Sequence, residues 1–253
     1  MNIKDYSIIL DDAAKTATSI SQISNTTKIN LDDAYTIQAL SMKRRYRRGE
    51  KLVGLKMGFT SKAKMEQMGV HDLIWGRLTD AMEIEVDGDM PSKNFIHPRA
   101  EPELAFLLKK DIKIPISLDE IGSVIGGIAP AIEIIDSRYR NFKFSLEDVI
   151  ADNCSSSGYA IGKWHAPNTD VSNLSIDIGI NGTISKSGNS NAILGNPLQS
   201  LVEASRLALV YGQELKKDMI VLAGAATPAI HIKKGETVHA SFGILGELKF
   251  NVV

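Results

Sequence analysis

Hydrophobic positions change their spacing along this chain. Within the first fifty residues they recur at helical intervals. Leu31, Ala34, Ile37 and Leu40 form an apolar stripe, and two helices are predicted before residue 50. Asn30 is an N-cap for the second, with Asp33 at the capping-box position usually held by Glu or Gln. That helix ends in Lys43-Arg44-Arg45-Tyr46-Arg47-Arg48-Gly49, where cations suit the C-terminus and glycine suits the residue after it. Residues 53–59 read as a short apolar strand carrying one lysine, Lys56. A short helix capped by Thr60 or Ser61 is predicted through Met68, with Gly69 stopping it. Residues 95–109 contain a strand interrupted by Pro102, which has no N–H for a ladder. An edge strand or a bulge is therefore expected there. A short helix over 118–124 precedes an apolar strand, 126–135, that contains Glu133.

The second half is richer in β signals. Two alternating segments flank Asn181-Gly182, the signature of a type I′ hairpin. A helix is predicted over 198–210, a buried strand over 219–224, and a closing pair over 237–242 and 248–253. Helices early and strands late favour an α+β fold over a doubly wound sheet. No Gly-x-Gly-x-x-Gly follows a strand, which argues against a dinucleotide fold.

Composition narrows the class. The 253 residues are 43% hydrophobic and 23% charged, enough for a sizeable core. A net charge of -1 gives no general attraction to nucleic acid or anionic membrane, so neither is expected as a partner. The basic run at 43–48 is read as a helix end. One cysteine, Cys154, excludes an internal disulfide and fits a reducing cytoplasm. No signal peptide or apolar span of membrane length is apparent.

The candidate chemistry lies in Arg99-Ala100-Glu101-Pro102-Glu103. A strand has a side-chain period of two, so Glu101 and Glu103 face the same way, two like charges that repel and call for a neutralising partner. With Glu133 they would form an all-oxygen site suited to Mg2+ or Mn2+. The competing reading pairs them with Arg99 or Arg138 on a solvated edge. Lys56, flanked by Leu55 and Met57, is a candidate acid or base, with Asp80 as its candidate partner. The alternative is a lysine that snorkels or balances a carboxylate. The five histidines show no paired metal-ligand spacing. Ser155-Ser156-Ser157 reads as a polar turn able to line a pocket, and Cys154 lacks the neighbours that would favour a thiolate.

Seven motifs in order then carry a resemblance. They are Gly54-Leu55-Lys56-Met57-Gly58-Phe59-Thr60-Ser61, Trp75-Gly76-Arg77-Leu78-Thr79-Asp80, Pro98 to Phe106, Pro130 to Arg138, Ala151-Asp152-Asn153, Leu194-Gly195-Asn196-Pro197 and Leu222-Ala223-Gly224-Ala225-Ala226-Thr227. In this the chain resembles the hydratase/decarboxylase family of catechol meta-cleavage pathways, within the fumarylacetoacetate hydrolase superfamily. The resemblance spans nearly the whole chain. It implies one catalytic domain over 1–253, a mixed β-roll with residues 1–50 as an N-terminal helical segment packed on it. It also implies Mg2+ or Mn2+ on Glu101, Glu103 and Glu133, with Lys56 and Asp80 in the acid/base machinery. Arg138, Asn153, Ser155 and Thr227 are read as substrate-binding.

Within that family the activity implied is decarboxylation of 2-oxo-3-hexenedioate (4-oxalocrotonate). The alternative is hydration of 2-hydroxypenta-2,4-dienoate or the homologous heptenedioate. A third reading, from another class, is a non-catalytic binder of oxo acids or metal. The 222–227 segment resembles the decarboxylase version. Asn196 stands where His is usual, and the customary Trp-Leu of the next helix is absent. Homo-oligomers and association with a pathway hydratase are further implications of the resemblance.

Overall fold

The computed structural model describes residues 2–61, 65 and 72–253; the helix predicted through Met68 lies largely outside them. Two N-terminal helices, α1 (Ile3–Lys15) and α2 (Leu31–Arg47), start at Asn2 and Asn30. Each asparagine closes a capping box with an aspartate three residues on, Asp5 and Asp33. The face α2 buries is Ala34, Tyr35, Ile37, Gln38, Ser41 and Met42; it keeps Ala34 and Ile37 of the predicted stripe, while Leu40 is half-buried and Leu31 is 41% exposed. The basic end of α2 is spent within the chain. Arg44 and Arg48 both reach the buried carboxylate of Asp11 on α1, and Arg45 pairs with Glu50.

Two sheets follow. Strands β1 (Leu52–Gly58), β2 (Ile74–Thr79), β4 (Arg99–Leu108), β5 (Ile125–Ile135), β6 (Ser156–Ile161) and β9 (Ile220–Leu222) form the larger, in the order β2-β1-β9-β4-β5-β6. The short β10 (Ile230–His231) extends it beside β4. The smaller sheet runs β3 (Asp89–Met90), β12 (Glu247–Val252), β11 (Thr237–Ser241), β7 (Ser175–Ile180), β8 (Thr183–Asn189). The β7–β8 turn has the expected form, with Asn181 and Gly182 both at positive φ. Short helices α3 (Ile121–Val124) and α4 (Leu146–Ala151), and the longer α5 (Gln199–Val210), complete the mixed α+β architecture. One large apolar core joins both sheets and the helices. Among the described residues, no helix is long and apolar enough to cross a membrane.

The expectation for Pro102 is corrected. β4 is an interior strand, flanked by β5 on one side and by β9 and β10 on the other, and its register shift falls at Leu107/Leu108. The carbonyl of Pro102 accepts from Ala226 N–H, so its nitrogen faces the gap between β9 and β10 and costs the β4–β5 ladder nothing.

The larger sheet curls until the segment after β2 reaches β6, where Ile84 N–H donates to the Tyr159 carbonyl. Small residues on the inner face, among them Gly54 and Ala105, make the curl tight. A Cβ at Gly54 would overlap Ile220 of the parallel neighbour β9.

The α1–α2 clamp makes a testable claim. Burial pulls the Asp11 carboxyl upward, but Arg48 and Arg44 outweigh it and hold the group below the usual carboxylate range. Its stabilisation is therefore present above the unfolded value of about 3.9 and lost as the pH falls below it. Asp11→Asn is expected to cost about 1–3 kcal/mol at neutral pH, and denaturant melts of the two proteins should converge on acidification.

Candidate active site

Period two and register build the site together. β4 points Arg99, Glu101 and Glu103 to one face, and β5 sets Glu133 directly opposite Glu101. Three carboxylates meet, one oxygen from each lying within 4.8 Å of the others. Glu103 and Glu133 are fully buried and Glu101 is 6% exposed. On β1, Leu55 and Met57 enter the core while the alternate residue, Lys56, turns to the inner face. The curl brings its Nζ to 2.7 Å from Glu133 Oε2, and the same Nζ donates to the Cys154 carbonyl at 3.3 Å.

The electrostatics follow from that packing. Burial pushes the Glu103 carboxyl well up, helped by Glu133 and only partly offset by Lys56. Burial likewise raises Glu133 against the pull of Lys56. Burial alone would lower the Lys56 ammonium, but Glu133, then Glu103 and Glu101, reverse the direction and raise it. Ionised, these four groups leave two negative charges in excess. Oε1 of Glu103 and Oε1 of Glu133 have no hydrogen-bond partner among the described residues. Orphaned buried carboxylate oxygens within reach of one centre fit a hard divalent cation in charge and ligand type.

A cavity of about 710 Å3 opens beside the cluster. Lys56, Glu101, Ser155 and Thr227 line it, between apolar walls that include Met57, Phe59 and Ile135. Among the described residues Ser155 Oγ is buried with no hydrogen-bond partner, and Thr227 Oγ1 donates to the Pro228 carbonyl. The predicted serine turn is only partly one: Ser156 and Ser157 already belong to β6, and Cys154 is a buried thiol donating to the Trp75 carbonyl, pushed up to about 12 by burial.

Three predicted site residues fall elsewhere. Asp80 is exposed at the far end of β2, where its Oδ1 accepts from the N–H groups of Lys51 and Ala81. The β1–β2 register puts Lys56 opposite Gly76 and Leu52 opposite Thr79, so the strand separates Asp80 from Lys56, and Glu133 takes the partner's place. Arg138 is buried and consumed: its guanidinium holds Asp152 side chain and carbonyl, and Ser157 Oγ. Asp136, two residues before it, accepts from the N–H groups of Ile96 and His97. Asn153 is a backbone clamp. Its Oδ1 accepts from Arg77 N–H and its Nδ2 donates to the Arg77 carbonyl.

Sequence reasoning missed the supports. Asn153, Cys154 and Ser155 occupy the left-handed region in succession, with φ of 50, 53 and 59°. That conformation costs non-glycine residues roughly 1–2 kcal/mol each, and here it aims the Cys154 carbonyl at Lys56. Gly224, at φ 102°, donates its N–H to Glu103 Oε2 at 2.7 Å, and a Cβ there would overlap Thr60. Arg99 was weighed only as a partner for the glutamates, although the period-two argument that aligned Glu101 with Glu103 extends to it. It lines the cavity, with its guanidinium 3.9 Å above the Phe142 ring. Gly224→Ala is expected to lower stability by about 1–3 kcal/mol through overpacking and positive-φ strain, measured as an earlier denaturation midpoint.

Comparison with known proteins agrees with this geometry. Residues 78–253 match the model of the fumarylacetoacetate (FAA) hydrolase C-terminal family. The chain is 46% identical to a 4-oxalocrotonate decarboxylase of a Pseudomonas species, over 99% of this chain and 98% of that one. It is 31% identical to a 2-hydroxyhexa-2,4-dienoate hydratase of Comamonas testosteroni, covering 90% and 88%. A solved 4-oxalocrotonate decarboxylase of Pseudomonas putida G7, complexed with magnesium and adipate, superposes with a TM-score of 0.96 at 30% identity, covering 99% and 97%. With its mixed sheet, its buried carboxylates and these full-length likenesses, the chain belongs to the fumarylacetoacetate hydrolase family.

Proposed function

We propose that this protein is a carboxy-lyase. It converts 2-oxo-3-hexenedioate (4-oxalocrotonate) to 2-hydroxypenta-2,4-dienoate and CO2, with Mg2+ or Mn2+ held by Glu101, Glu103 and Glu133. The observation that carries this reading is the convergence of the three buried carboxylates with Lys56 at the floor of one cavity. The similarity to decarboxylases over nearly full length supports it.

When bound, the dication supplies Lewis-acid stabilisation of charge developing on the 2-oxo group. The reaction breaks the bond between C5 and C6. The electron pair moves through the C3–C4 double bond to the C2 oxygen, C6 leaves as CO2, and a proton taken up from solvent at the C2 oxygen gives the 2-hydroxy product. Lys56, beside the three carboxylates, is the residue we assign to the charge gained by that oxygen. Its ammonium is braced by Glu133 and the Cys154 carbonyl, so it meets the charge without reorganising. Ser155 offers a hydroxyl that has no hydrogen-bond partner among the described residues. Phe59 and Ile135 give the cavity apolar wall beside these groups. Asp80 has no part in this chemistry, being exposed and engaged at the other end of β2.

Two measurements test the reading. Mg2+ at a hundredfold excess over its Kd should stabilise the protein by about 2.7 kcal/mol, seen as a rise in thermal midpoint that EDTA reverses and Glu103→Gln abolishes. With Mg2+ and 2-oxo-3-hexenedioate, the protein should release CO2, and Lys56→Met should lower kcat by roughly 10²–10³-fold while the metal-dependent thermal shift persists. Hydration of 2-hydroxypenta-2,4-dienoate without CO2 release from the dioate would make the protein a hydratase. Absence of turnover on either acid would leave a binding protein.

A further inference from the structure

Arg99 is built unlike a surface arginine. Its Nε is buried and has no hydrogen-bond partner among the described residues. One face of the guanidinium is covered by the Phe142 ring, which leaves the edge, where the N–H donors lie, for recognition. The side chain lines the same cavity as Lys56 and Glu101. It also shares the inner face of β4 with the carboxylate cluster, two residues from Glu101. Two residues along a strand span roughly 6.8 Å, comparable to an extended six-carbon chain. The cavity is therefore bipolar: a carboxylate and lysine group at Glu101, and Arg99 one strand-step away with apolar Ile135 opposite it across the ladder. Exposed Lys143 adds a second positive charge to the lining.

The geometry points to Arg99 as the residue that selects a linear dicarboxylate, by receiving the carboxylate remote from the 2-oxo group. The inference rests on the proposed decarboxylase reading and deepens it. A planar fork with an unsatisfied buried donor matches a carboxylate in shape and charge. An acid lacking the second carboxylate would leave that donor unsatisfied, which is the basis of strong discrimination. With Glu101, Glu103 and Glu133 holding the metal at one end, anchoring the other end fixes the C5–C6 bond relative to the conjugated system into which its electrons flow. Arg99 is thus assigned to specificity and positioning, and a substrate such as 2-hydroxypenta-2,4-dienoate, with a single carboxylate, makes no use of it.

The test is calorimetric binding of adipate and of hexanoate to the Mg2+-loaded protein. The unmodified protein should bind adipate at least about tenfold more tightly than hexanoate. Arg99→Met should bring adipate to the hexanoate level and leave the Mg2+-dependent thermal shift intact, while Arg99→Lys should recover part of the difference. Equal weakening of both acids, or undiminished adipate binding in Arg99→Met, would overturn the assignment. If Arg99→Met lacks a cooperative melt, Phe142→Leu takes its place: reduced discrimination supports the assignment and unchanged discrimination overturns it. Turnover separates this inference from the one beneath it. Arg99-dependent adipate selection without CO2 release sinks only the decarboxylase reading. CO2 release with KM for the dioate unchanged in Arg99→Met sinks only the role of Arg99.

Discussion

Glu101 and Glu133 face one another across a buried antiparallel ladder, with Glu103 one strand-step away. Like charges directly opposite on a sheet repel, and each carboxylate has also been taken out of water. No sequence selected for stability alone would place three there. The register is fixed by the apolar pattern: a slip of one residue on β4 would take Ala100 and Leu104 out of the apolar core and put glutamates in their place. The site is thus held in place by the hydrophobic pattern of the strand that carries it, and the repulsion is a standing demand for positive charge.

Much of the neighbouring structure answers that demand or braces the groups that do. Lys56 approaches from β1 only because the sheet curls, and the curl needs small residues such as Gly54 and Ala105 on the inner face. The left-handed run Asn153–Ser155 directs a carbonyl to Lys56, and it is itself pinned by the double bond of Asn153 to the Arg77 backbone. Arg138 and Asp152 form a buried pair behind this turn, and burial raises the Asp152 carboxyl to about 6 against the pull of Arg138. The N-terminal helices are tied to the same region. Gln38 of α2 donates to the carbonyls of Trp75 and Ile150 and accepts from Arg77. The helical segment therefore buttresses the strands that present the site.

The division of labour among the basic residues is instructive. Arg44, Arg45 and Arg48 look in the sequence like a positive patch, yet each is spent on Asp11, Asp12 or Glu50. Arg138 stands five residues from Glu133 and looks like a ligand-binding arginine, yet it is wholly engaged with Asp152, Ser156 and Ser157. Arg99, adjacent to the acidic motif and easily read as its counter-ion, lines the cavity with a buried Nε that has no partner among the described residues. Proximity along the chain does not predict which arginine is available; the hydrogen-bond inventory of the folded state does.

Local rules were enough for part of this protein. Capping boxes at Asn30, the hairpin at Asn181-Gly182, the period-two alignment of Glu101 and Glu103, and the turn of Lys56 away from Leu55 and Met57 all follow from backbone geometry within a few residues. So does the mixed α+β class, and the ordered motifs carried the family. Long-range pairing decided the rest. Glu133 meets Glu101 because β4 and β5 pair in that register, and Glu133 replaces Asp80 as the partner of Lys56 because the sheet curls. Pro102 sits in an interior strand because its missing donor faces a gap between two neighbours. Those outcomes depend on contacts between residues tens of positions apart, which no local spacing encodes. The three carboxylates were legible as a cluster from the sequence; what surrounds them, and which arginine faces the cavity, only the packing of one strand against another could settle.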